Sequence, residues 1–163
     1  MRLILASTSR YRRELLARLR LPFEVASPAV DETERADEPP VSRAERLAIE
    51  KAQAVGMRFP DALVIGSDQV AALDDLILDK PGGFERAFAQ LQTMRGRRVT
   101  FNTAVAVHHA ARGATSLRMV PFWVQFRAYT DAQITAYLRA EEPYDCAASA
   151  KAPITTASVN QNV

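Results

Sequence analysis

The sequence predicts an α/β fold, and three observations carry that prediction. Short apolar runs alternate along the chain with segments whose apolar residues recur at helical spacing. One run, Ala62-Leu63-Val64-Ile65-Gly66, is apolar on both faces, as in a strand in the middle of a sheet covered on both sides. Turn signals at Asp74-Asp75 and Gly113 separate other strand-like runs closely enough for antiparallel hairpins. Interleaved helices and strands of this kind make the class α/β.

Each element follows from its residues. Leu3-Ile4-Leu5-Ala6 reads as a buried strand that stops at Ser7-Thr8-Ser9. Leu15, Leu16 and Leu19 then recur at helical spacing, so a helix begins behind a Ser9 cap. Pro22-Phe23-Glu24-Val25 reads as a second strand, and residues 31–40 as a polar loop without a hydrophobic period. Ser42-Arg43-Ala44-Glu45 matches a capping box. It predicts a helix that turns Leu47, Ala48 and Ala52 to the core and ends near Gly56. The apolar run 62–66 leads into Ser67-Asp68-Gln69, after which Val70 to Leu73 and Leu76 to Leu78 flank Asp74-Asp75 as a hairpin. Pro81-Gly82-Gly83 breaks the chain before a helix over Phe84 to Met94, with Phe84, Ala87, Phe88 and Leu91 on one face. Strands over 99–107 and 118–129 flank the Gly113 turn, and Thr130-Asp131 caps a helix through Leu138. Beyond Lys151 there is no aromatic residue and no sustained period, which predicts a frayed end.

With 163 residues the chain suits one domain. Its 48% hydrophobic and 25% charged residues are those of an ordinary soluble protein. No apolar run approaches the ~20 residues of a membrane helix. Polar Ser7 follows Arg2 too soon for a signal peptide. The lone Cys146 rules out a disulfide framework and predicts a reducing, cytoplasmic compartment. A net charge of +2 hides a segregation. Arg2, Arg10, Arg12, Arg13, Arg18 and Arg20 face only Glu14 in the first 20 residues, and Asp31, Glu32, Glu34, Asp37 and Glu38 follow. A basic start suits nucleic acid, yet no aromatic RNA motif, zinc-finger spacing or basic tail accompanies it. A small phosphorylated ligand accounts for a basic cluster beside an acidic one, and acids next to phosphates imply a divalent metal.

Arg10, Arg12 and Arg13 stand where a helix macrodipole is already positive, at a cost of about 0.3–1 kcal/mol each. A docked anion reverses that cost by drawing backbone N–H groups and guanidinium groups onto itself; the plainer alternative is a solvated arginine-rich helix. Asp68 follows a buried strand, the place where open α/β sheets bind ligands, although a turn-forming aspartate has the same signature. Glu32 reads equally as a second carboxylate of a site or as a solvated loop acid. Lys51 and Lys80, taken singly, read as surface charges. Together the two carboxylates can hold magnesium and deprotonate a water, while the lysines and arginines neutralise phosphate oxygens. His108 and His109 point to opposite faces of a strand, cannot share a metal, and read as exposed. Cys146 reads as a small core residue, and Phe122, Val124 and Phe126 as packing residues.

The segment LILASTSRYRRELL, Asp31-Glu32-Thr33, Glu50-Lys51-Ala52, Ile65 to Val70 and Asp79-Lys80-Pro81 resemble, in order and spacing, the motifs of the Maf family. The segments 101–107, 121–127 and 146–151 fit as well. The resemblance implies a mixed, strongly twisted sheet flanked by helices, of the inosine triphosphatase type, over residues 1–151 and a non-family tail over 152–163. It implies a nucleoside triphosphate pyrophosphatase that cuts between the α- and β-phosphates with a divalent cation (Mg or Mn). Asp68 falls on the general base. Ser7, Ser9, Arg12, Arg13, Lys51 and Lys80 fall on phosphate-binding positions, and Glu32 with Asp68 on the metal position. Tyr11 and Gln69 resemble the subfamily that hydrolyses 7-methyl-GTP, whereas the thymidine/uridine subfamily usually carries Thr after the aspartate. The implied partners are a nucleoside triphosphate and a second copy in a homodimer, with no nucleic acid and no membrane. Two departures stand out. Cys146-Ala147-Ala148-Ser149 replaces a usual Cys-Ala-Gly-Ser and Thr103-Ala104 a usual Thr-Gly, which matters where the backbone needs positive φ. The resemblance ends at Lys151, ahead of the family's last strand and helix, so the sequence reads as truncated or frame-shifted. The alternative function is a catalytically impaired nucleotide-binding or regulatory protein linked to septum formation.

Overall fold

The computed structural model of the chain describes residues 2–149. The expected frayed tail and the end of the motif at Lys151 lie outside them. The elements are β1 (Leu3–Ala6), α1 (Arg10–Ala17), β2 (Glu24–Ala26), α2 (Pro40–Gly56), β3 (Leu63–Leu73), β4 (Leu76–Ile77), α3 (Phe84–Met94), β5 (Arg98–His109), β6 (Ala114–Gln125) and α4 (Asp131–Glu141). Short 3-10 turns occupy Ala110–Arg112 and Ala147–Ser149. Among the described residues the strands are hydrogen-bonded in the order β2-β1-β3-β5-β6, with β4 paired to β3. β1 pairs parallel with both β2 and β3, and β4 antiparallel with β3, so the sheet is mixed. Among the described residues no helix is long and apolar enough to cross a membrane.

The chain divides into two compact units. The first takes the residues up to Gln69 together with Thr103–Val120. Here β1 lies between β2 and β3, with Leu5 opposite both Val25 and Ile65. Ile4, Leu5 and Ala6 of β1 are buried with Leu47, Ala48, Ala52 and Val55 of α2 and Val64 of β3. One glycine sets the distance between α2 and β3. A Cβ on Gly66 would stand 2.2 Å from the Ala48 carbonyl oxygen and 2.6 Å from the Ala52 nitrogen. Only a bare backbone lets the helix come this close.

The second unit takes Val70–Asn102 and the chain from Pro121 onward. Its core gathers Leu73, Leu78, Leu91, Met94, Val99, Phe101, Phe126, Ile134 and Leu138, with α3 packed on α4. Thr130 caps α4 in a capping box with Gln133. The Tyr129 hydroxyl donates to the Leu91 carbonyl at 2.7 Å, and burial pushes its pKa up to about 12. Ala148 and Ser149 of the Ala147–Ser149 turn are buried, and Ala148 adopts φ 55°. Its backbone thus takes the left-handed conformation that the family's usual glycine adopts without strain. Ala104 lies in β5 and makes no such demand.

Several expectations are corrected. α2 begins at Pro40, not behind Ser42, and the 42–45 capping box does not form. Pro40 carries the φ of a first helical residue and lacks the N–H that would go unpaired there, so the helix starts earlier. The apolar run at 62–66 and the first arm of the hairpin are one strand, which places Asp68 inside β3 rather than in a turn. β2 is shifted to Glu24–Ala26. β6 starts at Ala114 and stops at Gln125, before the four residues that lead to the α4 cap. His108 is buried against Gly56, with its Nδ1 2.9 Å from the Thr115 hydroxyl. Cys146 is only half-buried, and Phe122 is exposed on one side while its ring stacks on Phe101 at 4.9 Å.

Candidate active site

The candidate site lies within the first unit and is built on the face that α2 presents to β3. Residues 48, 51 and 52 share one side of the helix, so the approach of Ala48 and Ala52 to Gly66 brings Lys51 along. Asp68, two residues beyond Gly66, points to the same side of the strand. The Lys51 Nζ donates to Asp68 Oδ1 at 2.6 Å and stands 2.8 Å from Glu32 Oε1. Lys51, read singly as a surface charge, is 4% exposed and Asp68 8%. A buried ammonium and a buried carboxylate are tolerable only as partners. Glu32 reaches them from the polar loop with its side chain half exposed.

Arg12 supplies the second cation, its guanidinium 3.8 Å from Asp68 Oδ1. The turn before it is fixed by its own hydroxyls. Buried Ser7 accepts from the Ser9 N–H at 3.1 Å, and Ser9 caps α1 by accepting from the Arg12 N–H at 3.4 Å. Among its first residues α1 has no acid to answer its macrodipole. Arg13 is exposed at the same helix start. Tyr11 is half exposed, with the Arg10 guanidinium 5.2 Å from its ring centre. The cluster therefore offers cations and a helix N-terminus beside two carboxylates, as an anion with a bound cation requires.

Two predicted site residues have other surroundings in their own units. Gln69 alternates to the other face of β3, and its Nε2 donates to the Thr103 hydroxyl at 2.8 Å. Lys80 belongs to the second unit, where it is exposed. Conversely, α2 contributes two arginines that sequence reasoning left out. Arg46 holds Glu38 in a two-pronged pair at 2.6 and 2.7 Å, and Arg43 holds Glu34 at 2.8 Å. The available signal was five acids in the loop ahead of a helix whose first turns carry Arg43 and Arg46.

A family model described as Maf-like protein matches residues 2–159. The chain belongs to the Maf family. A 7-methyl-GTP pyrophosphatase of Albidiferax ferrireducens is 59% identical over 150 residues, covering 92% of this chain and 75% of that protein. Another of that name, from Thiobacillus denitrificans, is 58% identical over 149 residues, covering 91% and 74%. Among solved structures, the Staphylococcus aureus Ham1 protein superposes with a TM-score of 0.54 at 14% identity, over 77% of this chain and 71% of that one. That likeness concerns the fold, and it agrees with the α/β architecture expected of a Maf chain. Of the positions in the Maf motifs, Arg12, Glu32, Lys51 and Asp68 meet in this cluster.

Proposed function

We propose that the chain is a nucleoside triphosphate pyrophosphatase that hydrolyses 7-methyl-GTP to the monophosphate and pyrophosphate. The observation that carries the reaction type is the buried Lys51–Asp68 pair, joined by Glu32 and Arg12 at the start of a serine-capped helix. The base assignment is supported by the names of relatives more than half identical to this chain.

The residues present fit a divalent cation. Glu32 and Asp68 both reach one atom, the Lys51 Nζ, so the two carboxylates already converge on a single positive centre. Among the described residues no group of three or more His, Cys, Asp or Glu side chains converges. Two carboxylates completed by phosphate oxygens and waters is the usual arrangement for magnesium. When bound, such a cation withdraws charge from the phosphate oxygens. Glu32 and Asp68 would hold it.

Lys51 and Arg12 both engage Oδ1 of Asp68, and the Asp68 carboxylate takes a proton from water. That water oxygen bonds to the α-phosphorus as the bond to the bridging α–β oxygen breaks, and pyrophosphate leaves with the electron pair. Lys51, Arg12 and Arg13 neutralise the charge that gathers on it, and the α1 N-terminus with Ser7 and Ser9 lies beside them. Tyr11 offers a ring on which a purine stacks. Gln69 for base choice and Lys80 for the phosphates enter on their family motifs. A cytoplasmic homodimer belongs to the same reading.

The test is pyrophosphate release from 7-methyl-GTP and magnesium by folded protein; binding without release would instead support a regulatory nucleotide-binding module. Asp68→Asn is expected to lower kcat by about 10²–10⁴-fold with little change in nucleotide affinity. Equal losses in both would make Asp68 a structural residue.

A further inference from the structure

Glu32 sits in a loop without regular secondary structure, half exposed, yet its carboxylate is held 2.8 Å from a buried ammonium. Packing does not place it. A cavity of about 500 Å³ lies beside the loop, lined by Asp31, Thr33, Glu34, Arg35, Arg46 and Glu50. What crosses from helix to loop is charge: Arg43 holds Glu34 at 2.8 Å, and Arg46 reaches the loop at both Glu38 and Thr33. Its Nε and one terminal nitrogen engage both oxygens of Glu38. That same terminal nitrogen lies 3.5 Å from the Thr33 carbonyl oxygen, one residue from Glu32, while the other donates to Glu50 at 3.1 Å. Glu50 in turn holds Arg35 of the loop at 2.9 Å. The side chains of Arg46 and Glu38 are each only 11% exposed, so this pair is sheltered from the screening that makes surface ion pairs weak. A planar, two-pronged contact also fixes direction, which a lysine at this place could not do.

We infer that Arg46 is a positioning residue for the cation site: it ties the acidic loop to α2 and thereby holds Glu32 opposite Asp68. Arg46 touches neither Asp68 nor Lys51, so its effect passes through loop position alone. The inference rests on the functional reading of the Glu32–Asp68 pair, and the experiment separates the two.

Binding of Mn²⁺ to nucleotide-free protein is measured by electron paramagnetic resonance, alongside the Mg²⁺ dependence of 7-methyl-GTP hydrolysis. Arg46→Ala is expected to raise the Mn²⁺ dissociation constant and the Mg²⁺ half-saturation by roughly 10–100-fold, the range seen when an outer-shell partner is removed. The kcat at saturating Mg²⁺ stays close to wild type. Arg46→Lys recovers only part of the loss. If Arg46→Ala fails to fold, Glu38→Gln removes the pair from the other side and shifts metal affinity in the same direction. A variant with lower Tm and lower kcat but unchanged Mn²⁺ affinity would overturn the inference, as would wild-type protein that binds no Mn²⁺. Wild-type protein that binds Mn²⁺ but releases no pyrophosphate defeats the functional reading and leaves the Arg46 effect measurable by resonance.

Discussion

Different physics holds the inside of each of the two units. In the first, Gly66 lets α2 down onto β3, and charge then fixes the candidate site: Lys51 between two carboxylates, Arg46 beside an open cavity, Arg12 against Asp68. In the second, an apolar cluster from Ala71 to Phe126 and α4 does the holding, and Lys80 is the candidate site residue. Apolar packing tolerates no loss of volume but is indifferent to the direction of any one group. A charged network fixes direction yet contributes little net stability, because desolvation offsets attraction. Damage to the second unit should therefore appear in stability, and damage to the first in rate or metal affinity.

The largest stability effect is expected from Leu138→Ala. Leu138 is fully buried in the second-unit cluster, so truncation should cost about 2–5 kcal/mol. Chemical denaturation measures it, and the kcat of the fraction that stays folded should be unchanged. A loss of kcat larger than the loss of folded protein would break the division of labour between the units.

Gly66→Ala sharpens the same comparison from the other side. The new Cβ meets the Ala48 carbonyl and Ala52 backbone nitrogen, neither of which can swing away as a flexible side chain would. The helix must retreat, at a cost of roughly 1–3 kcal/mol, and Lys51 moves off Asp68 with it. Activity should fall by more than stability alone explains, and a crystal structure of the variant should show a Lys51–Asp68 distance longer than 2.6 Å.

How far the sequence anticipated this molecule follows from the same contrast. Local periodicity and turn chemistry specify helix α3 from Phe84 to Met94 and the β3–β4 hairpin around Asp74-Asp75. Motif order groups Arg12, Glu32, Lys51 and Asp68 as candidate site residues. What stayed hidden depends on long-range approach. Lys51 reads as a surface lysine until Gly66 brings α2 down onto β3. His108 reads as exposed until Gly56 leaves space for its ring. Arg46 has only the charge complementarity of the acidic stretch ahead of its helix as a signal, since its partners Glu38 and Thr33 belong to a loop whose path no periodicity predicts.

A smaller effect, of opposite sign, is expected from Ala148→Gly. Ala148 is buried at φ 55°, a conformation that costs an L-residue roughly 1–2 kcal/mol. Glycine removes that strain but widens the unfolded ensemble, which takes back about 0.4–1 kcal/mol. The net is a modest gain in Tm with no change in kcat. A lower Tm would mean that the Ala148 methyl packs more favourably than its backbone is strained.

The smallest effects should separate the units by pH. Hydrogen bonds from Arg46 hold the Glu38 carboxyl below its ordinary value of 4.5, and those from Thr33 hold Asp31 below 3.8. A depressed carboxyl stabilises the fold above its unfolded pKa and loses that contribution as pH falls through the folded one. Tyr129 behaves in the opposite sense: burial raises it to about 12, so its contribution is intact below pH 10 and lost as pH climbs toward 12. Asp131 of the second unit is also lowered, by Arg95, but its side chain is 57% exposed and its share is screened. Thermal melts across pH should therefore show an acid limb that Glu38→Gln flattens and an alkaline limb that Tyr129→Phe flattens. If Glu38→Gln leaves the acid limb unchanged while still weakening Mn²⁺ binding, the Arg46–Glu38 pair directs the loop without stabilising the fold, which is the contrast between the two units carried to its limit.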